Sequence, residues 1–171
     1  MRGLTISAHG GVERIEYRED LAEPALHGDT DVRVRIRAAA LNHLDLFTIG
    51  GLPGITITPP WILGSDGMGV VESIGSKVTS VAVGDTVVIN AGTSDRTCEY
   101  CLDGEQPLCP RFKVLGEHLP GTMAELVVVP ATNVLPVRAQ ADEAEAAGFT
   151  LATLTAYRML VSRAHLRAGE H

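Results

Sequence analysis

The sequence has no apolar run long enough to cross a membrane as a helix. Its first residues, MRGLTISAHGG, lack the cationic region and long apolar core of a secretory signal. A reducing, cytoplasmic setting is the expectation. Positive charge is also short: 14 basic side chains against 21 acidic ones leave a net charge of −7. Nothing in that balance draws a phosphate backbone or anionic lipid, so neither nucleic acid nor membrane is an expected partner. Charged residues make up only 20% of the chain against 45% apolar ones, which excludes a disordered polymer. Cysteine is scarce. Three thiols cannot all pair, and with no sign of an oxidising compartment a disulfide framework is not expected. The 171 residues can hold one domain with a real core, or one domain plus a fragment of the next.

The three cysteines nevertheless fall together in Thr93 to Pro110, TSDRTCEYCLDGEQPLCP. Cys98 and Cys101 are separated by two residues and Cys101 and Cys109 by seven. A Cys-x-x-Cys knuckle followed by a third thiolate is the ligand pattern of structural zinc, which wants four donors in a tetrahedron. Asp95 stands three residues before Cys98, and its carboxylate is an acceptable, harder fourth donor. The pattern reads D-x2-C-x2-C-x7-C. Glu99, Glu105 and His118 compete with Asp95 for the fourth corner. The plainer reading makes Asp95 a turn cap and the thiols ordinary buried groups.

Along the chain, Leu4 and Ile6 alternate with polar residues, Gly10-Gly11 follows, and Val12, Ile15 and Tyr17 form a second run, the pattern of a β-hairpin. From Asp31 to Ala40, Val32, Val34, Ile36 and Ala38 share one face of a half-buried strand while Arg33, Arg35 and Arg37 share the solvated one. Residues 39–51 turn into a short helix, with Asn42 placed to cap it. The prolines and glycine of 52–60 describe a loop. Gly64, Gly67, Gly69 and Gly75 punctuate a β-rich run, which implies a bent strand or a close backbone approach. Strands are expected at 87–89, 122–129 and 133–137. Many short strands between Gly and Pro turns argue a barrel or sandwich. The pattern then turns helical: Asp142 caps EAEAAGF, and Leu151, Leu154, Tyr157, Leu160 and Val161 lie at helical spacing in Thr150 to Ala164. That helix has little left to pack on.

Five stretches in order, LNHLDLFTIGGLPG, the glycine spacing from Gly64 to Gly75, VGDTVVI, the cysteine lobe and the AxLTAYRML helix, resemble the N-terminal, GroES-like catalytic domain of the medium-chain zinc-containing alcohol dehydrogenase and quinone oxidoreductase superfamily. The resemblance implies a mainly β fold with short helices: a GroES-like barrel at 1–140 with a structural zinc lobe at 93–110, and a helical linker at 141–171 leading to a Rossmann domain that holds NAD(P). The family's four lobe cysteines match Asp95, Cys98, Cys101 and Cys109, so the first position departs from the pattern. Its catalytic zinc ligands match Asn42, Ser65 and approximately Leu151, none of them a good zinc donor, so structural zinc alone is expected. The proton-relay positions match Leu44 and Phe47, which cannot pass a proton. His43 matches a basic residue set against the cofactor pyrophosphate, and Asp45 and Asp66 match acidic residues near the active site. His43 as a solvated helix residue and Asp45 as a cap are the plainer alternatives.

The implied function is reduction of a small-molecule carbonyl, quinone or enone by hydride transfer from NAD(P)H, with the Asn42 amide as hydrogen-bond donor. The chain by itself is expected to be catalytically silent, and its unpartnered helix to favour a homo-oligomer. The alternative is a non-enzymatic binding module like the co-chaperonin that shares the barrel. The zinc lobe and linking helix argue against it.

Overall fold

The computed structural model describes residues 1–138 and 140–170. Two strands, β1 (Gly3–Ile6) and β2 (Ile15–Arg18), form the expected hairpin, pairing Gly3 with Arg18 and Ile6 with Ile15. Val12 falls in a 3-10 turn between them rather than in the second strand. The ten-residue β3 (Asp31–Ala40) follows, then helix α1 (His43–Gly50), β4 (Trp61–Ile62) and β5 (Asp66–Ile74). Next come β6 (Thr86–Ile89) and β7 (Gly92–Thr93), helix α2 (Glu99–Leu102) and β8 (Lys113–Val114). The chain continues with β9 (Leu126–Pro130), β10 (Val134–Pro136), α3 (Glu143–Ala147) and α4 (Thr150–Tyr157).

The main sheet is antiparallel with order β10-β6-β5-β3-β9; β2-β1-β4 makes a second sheet, and β7 pairs with β8 at the base of the cysteine lobe. Strand β1 reaches the main sheet through the segment before β9, where Leu4 N–H donates to the Met123 carbonyl (2.8 Å) and Glu125 N–H to that of Arg2 (3.1 Å). This explains why β9 begins at Leu126 and not at Thr122. The Thr122 and Met123 amides donate to the Gly64 and Leu63 carbonyls, so that stretch serves the other side of the molecule.

The alternation in β3 sets the core. Val32 and Val34 are fully buried and pack with Val71, Val87, Ile89 and Val129. Each such side chain contributes about 1.5–3 kcal/mol by leaving water. On the other face, Arg33 and Arg35 both pair with Glu72, and Arg37 with Glu143. The glycines of β5 permit the close approach expected of them. A Cβ on Gly69 would stand 2.1 Å from the Arg35 carbonyl oxygen, beside the register shift between Ile36 and Ala38. Gly64 has φ +97°, a left-handed conformation that turns the chain from β4 into β5.

Asp142 caps α3 as its position suggests, its Oδ1 accepting the Glu145 N–H at 2.9 Å. The last helix is shorter than its periodicity. After Tyr157 the α pattern widens into a single π-type turn over Arg158–Arg163. Leu151 is partly buried against the main core, whereas Leu154, Tyr157, Leu160 and Val161 are 42–60% exposed, so one of the five apolar positions packs on the sheet. Among the described residues no helix is long and apolar enough to cross a membrane. His171, the last residue of the expected linker, lies outside the described residues, as does Ala139.

Candidate functional site

The expected metal ligands fall in one cluster, and Asn42, His43, Asp45 and Asp66 in or beside a second. In the first, the loop after β7 wraps so that one donor atom from each of Asp95, Cys98, Cys101 and Cys109 lies within 4.8 Å of the others. Cys98 caps the single turn α2, which brings Cys101 round to the same side. Asp95 Oδ1 accepts the N–H groups of Thr97 and Cys98, both at 2.9 Å, closing a tight turn that holds Arg96 at φ 59°. A 3-10 turn at Gln106–Leu108 ends on Cys109, whose Sγ accepts the Arg111 N–H at 3.4 Å. Cys101 and Cys109 are buried, and all three thiols are free.

These donors fit a tetrahedral metal. Zinc–sulfur bonds of about 2.3 Å put donor atoms roughly 3.8 Å apart, within the 4.8 Å that bounds the separations here. The competing donors are elsewhere: Glu105 turns to Arg158 and Arg163, His118 Nδ1 accepts the Val114 N–H at 3.3 Å, and Glu99 lies outside the cluster. The electrostatics show what a cation would relieve. The Cys98 and Thr97 amides hold the Asp95 carboxyl well below the usual range. The Cys101 amide draws the Cys98 thiol down, but burial and the crowding of Cys101, Cys109 and Asp95 outweigh it, pushing Cys98 up to about 11. Amides of Asp95 and Arg111 pull Cys109 down.

The second cluster joins α1, β5 and α4. Asn42 precedes α1 with extended backbone; its N–H donates to Asp45 Oδ2 (2.7 Å) and its side-chain Nδ2 to Asp66 Oδ2 (3.0 Å). The other Asp66 oxygen accepts the Thr150 hydroxyl and the Leu151 N–H (2.8 Å). The Thr150 Oγ1 also stands 2.8 Å from the Ile89 carbonyl, a second acceptor for its single proton. Asp66 is 1% exposed, so its oxygens are satisfied by these donors and not by water. Ser65, fully buried, donates to the Leu115 carbonyl at 2.7 Å. Asn42, His43 and Asp45 border a cavity of about 340 Å³ walled by Leu41, Leu46, Ile49 and Met123. His43 is exposed at its edge, its ring 4.7 Å from that of Phe47.

Asp45 is buried, and burial raises its pKa; the amides of Asn42 and Gly64 oppose this and the charge of Asp66 adds to it. A raised pKa means that the folded state favours the protonated form. This contribution to stability is complete below the ordinary value of 3.8 and is lost as pH rises through the folded pKa. Asp45→Asn keeps an acceptor for the Asn42 amide without the buried charge. Its stability relative to the native chain is therefore expected to improve from pH 3 to pH 7, read from urea unfolding at each pH. A flat difference across that range would show that Asp45 does not titrate in this window.

Sequence reasoning missed Thr150, which lies 84 positions from Asp66 and carries no local signature beyond a helix start. It also missed the pairing of Glu105 with the C-terminal arginines, for the same reason.

The family described as alcohol dehydrogenase GroES-like domain matches residues 28–139. Acryloyl-coenzyme A reductase of Metallosphaera sedula is 33% identical over 99% of this chain and 49% of its own length. Quinone oxidoreductase of Pseudomonas aeruginosa is 34% identical over 98% of the chain and 42% of its own. Among solved structures, an NAD-dependent alcohol dehydrogenase superposes with TM-score 0.94 and 45% identity, covering 99% of this chain and 49% of that one. The cobalt- and zinc-bound thermostable alcohol dehydrogenase of Pyrobaculum aerophilum does so with TM-score 0.87 and 34% identity, covering 99% and 50%. The chain thus spans about half the length of the relatives it matches. The expected architecture stands: mainly β, with few short helices and a curled half-barrel sheet.

Proposed function

Because this chain belongs to the family of alcohol dehydrogenase GroES-like domains, we propose that it is the substrate-binding half of an NAD(P)-dependent oxidoreductase that reduces a carbonyl, quinone or enone without a catalytic metal. Residues 1–140 form the catalytic domain, and 141–171 lead to a Rossmann domain of the same protein. The observation that carries the reading is the Asp66 network. Both Asp66 oxygens are occupied by donors from Asn42, Thr150 and Leu151, and the Ser65 hydroxyl is spent on Leu115. The positions that would hold a catalytic zinc present an amide nitrogen, a committed hydroxyl and a backbone N–H, a donor set unsuited to that ion.

What remains is hydrogen-bond catalysis. Asp66 can only accept from Asn42, so it fixes which way the amide faces. One N–H is held by Asp66, and the second is left to polarise a substrate oxygen as negative charge develops on it. Asp66 is thereby a positioning residue and Asn42 the donor. A nicotinamide cofactor, when bound, supplies the hydride. His43, exposed beside the cavity, would meet the cofactor's pyrophosphate, and the half-exposed apolar side of α4 would be covered by the cofactor domain or a second copy. In the lobe, Asp95, Cys98, Cys101 and Cys109 would hold a structural zinc, which adds rigidity and no chemistry.

Elemental analysis of the purified chain tests the metal assignments together. One zinc per chain is the expected result; two overturns the metal-free catalytic site, and none overturns the lobe assignment. The 171-residue chain alone is also expected to show no saturable NAD(P)H binding by fluorescence titration. Tight binding with turnover of a quinone would end the two-domain reading.

A further inference from the structure

The lobe and the C-terminal segment meet at one carboxylate. Glu105 stands midway between Cys101 and Cys109, with its N–H on the Tyr100 carbonyl (2.7 Å) and its carbonyl accepting from Leu108 N–H (2.9 Å). Its side chain accepts from both Arg158 and Arg163, the first and last residues of the π-type turn after α4, the latter at 2.9 Å. Asp66 holds the start of that helix, and beyond Leu151 its apolar side chains are half exposed. Glu105 is therefore the far anchor of a segment that the core holds only at its beginning.

We propose that metal in the lobe locks the C-terminal segment in place through Glu105. The inference rests on the reading of the lobe as a metal site. Cys101 and Cys109 close the loop that carries Glu105. With both ends ligated, the loop is fixed and its carboxylate already stands where the two arginines need it. Without metal the same ion pairs must order the loop as well, and partly exposed pairs are too weak to hold that position. Coupling runs both ways, so docking of the arginines strengthens metal binding by the factor by which metal strengthens docking.

Limited trypsin digestion of the 171-residue chain, with cleavage after each arginine followed by mass spectrometry, tests this. The arms are zinc-loaded chain, chain stripped with chelator under reducing conditions, and zinc-loaded Glu105→Gln. Stripping is expected to speed cleavage after Arg158 and Arg163 roughly threefold to tenfold, the range that two partly exposed ion pairs support. E105Q is expected to keep one zinc per chain, to be cleaved at the stripped rate, and to bind zinc more weakly by the same factor in a chelator competition. Cleavage after Arg14 and Arg18, far from the lobe in sequence, stays constant in every arm. If stripping exposes Arg96 in the lobe and Arg111 just after it but leaves Arg158 and Arg163 unchanged, the lobe binds metal and the lock is refuted. Protection that survives in E105Q refutes it equally. A chain that takes up no zinc overturns the lobe assignment itself, and the lock with it.

Discussion

Asp66→Ala is expected to lower the unfolding free energy by about 3–5 kcal/mol, because it strips the acceptor from three partly buried donors. The carboxylate is 1% exposed and takes three donors from two elements: Asn42 before α1, and the Thr150 hydroxyl and Leu151 amide at the start of α4. Alanine leaves these donors facing apolar surroundings, and each unsatisfied group costs about 1–3 kcal/mol. Thr150→Val removes one donor and keeps the volume, so its cost is expected near 1 kcal/mol. Asp66→Asn falls between the two, because its NH2 must face donors on one side. Urea unfolding with an unchanged m-value reads all three. A loss under about 1 kcal/mol for Asp66→Ala would show that water replaces the carboxylate freely and that the network organises neither Asn42 nor α4.

Cys101→Ser should abolish stoichiometric zinc binding. Its affinity is expected to fall by more than the roughly 100-fold that losing an outer partner of a metal ligand costs. Cys101 is the buried member of the knuckle, and a serine hydroxyl does not ionise to replace the thiolate. The lobe should loosen while the main core, most of whose residues lie on β3, β5, β6, β9 and β10, stays folded. Zinc titration checks the first expectation, and hydrogen exchange over residues 93–110 against 66–89 checks the second. Uptake must displace thiol protons, so apparent affinity in the native chain should fall as pH is lowered. Native affinity in the serine variant would remove Cys101 from the ligand set.

The lobe was legible because its information is local. Asp95, Cys98 and Cys101 recur at three-residue intervals, and one turn of chain is enough to bring such residues together. The choice of Asp95 over Glu105 was not local. Both are acidic and both are near the thiols in sequence, and only the arrival of Arg158 and Arg163 from the other end of the chain takes Glu105 away. In the same way, the alternation of β3 announced its buried valines, but not that two of its arginines share Glu72.

Asn42 and Asp66 were picked out one by one through resemblance, yet what they do together depends on a hydrogen bond between residues 24 apart and on donors from Thr150 and Leu151. By itself the sequence determined the features set by short-range spacing: the β-rich class, the capping residue of α3, the points where glycine lets strands approach, and the three-thiol lobe. Tertiary structure decided which polar groups face one another across the sheet, and so which carboxylate is gathered with the thiols and which is spent on the C-terminal arginines. A donor's partner is chosen by packing over tens of residues, and no local pattern encodes that distance.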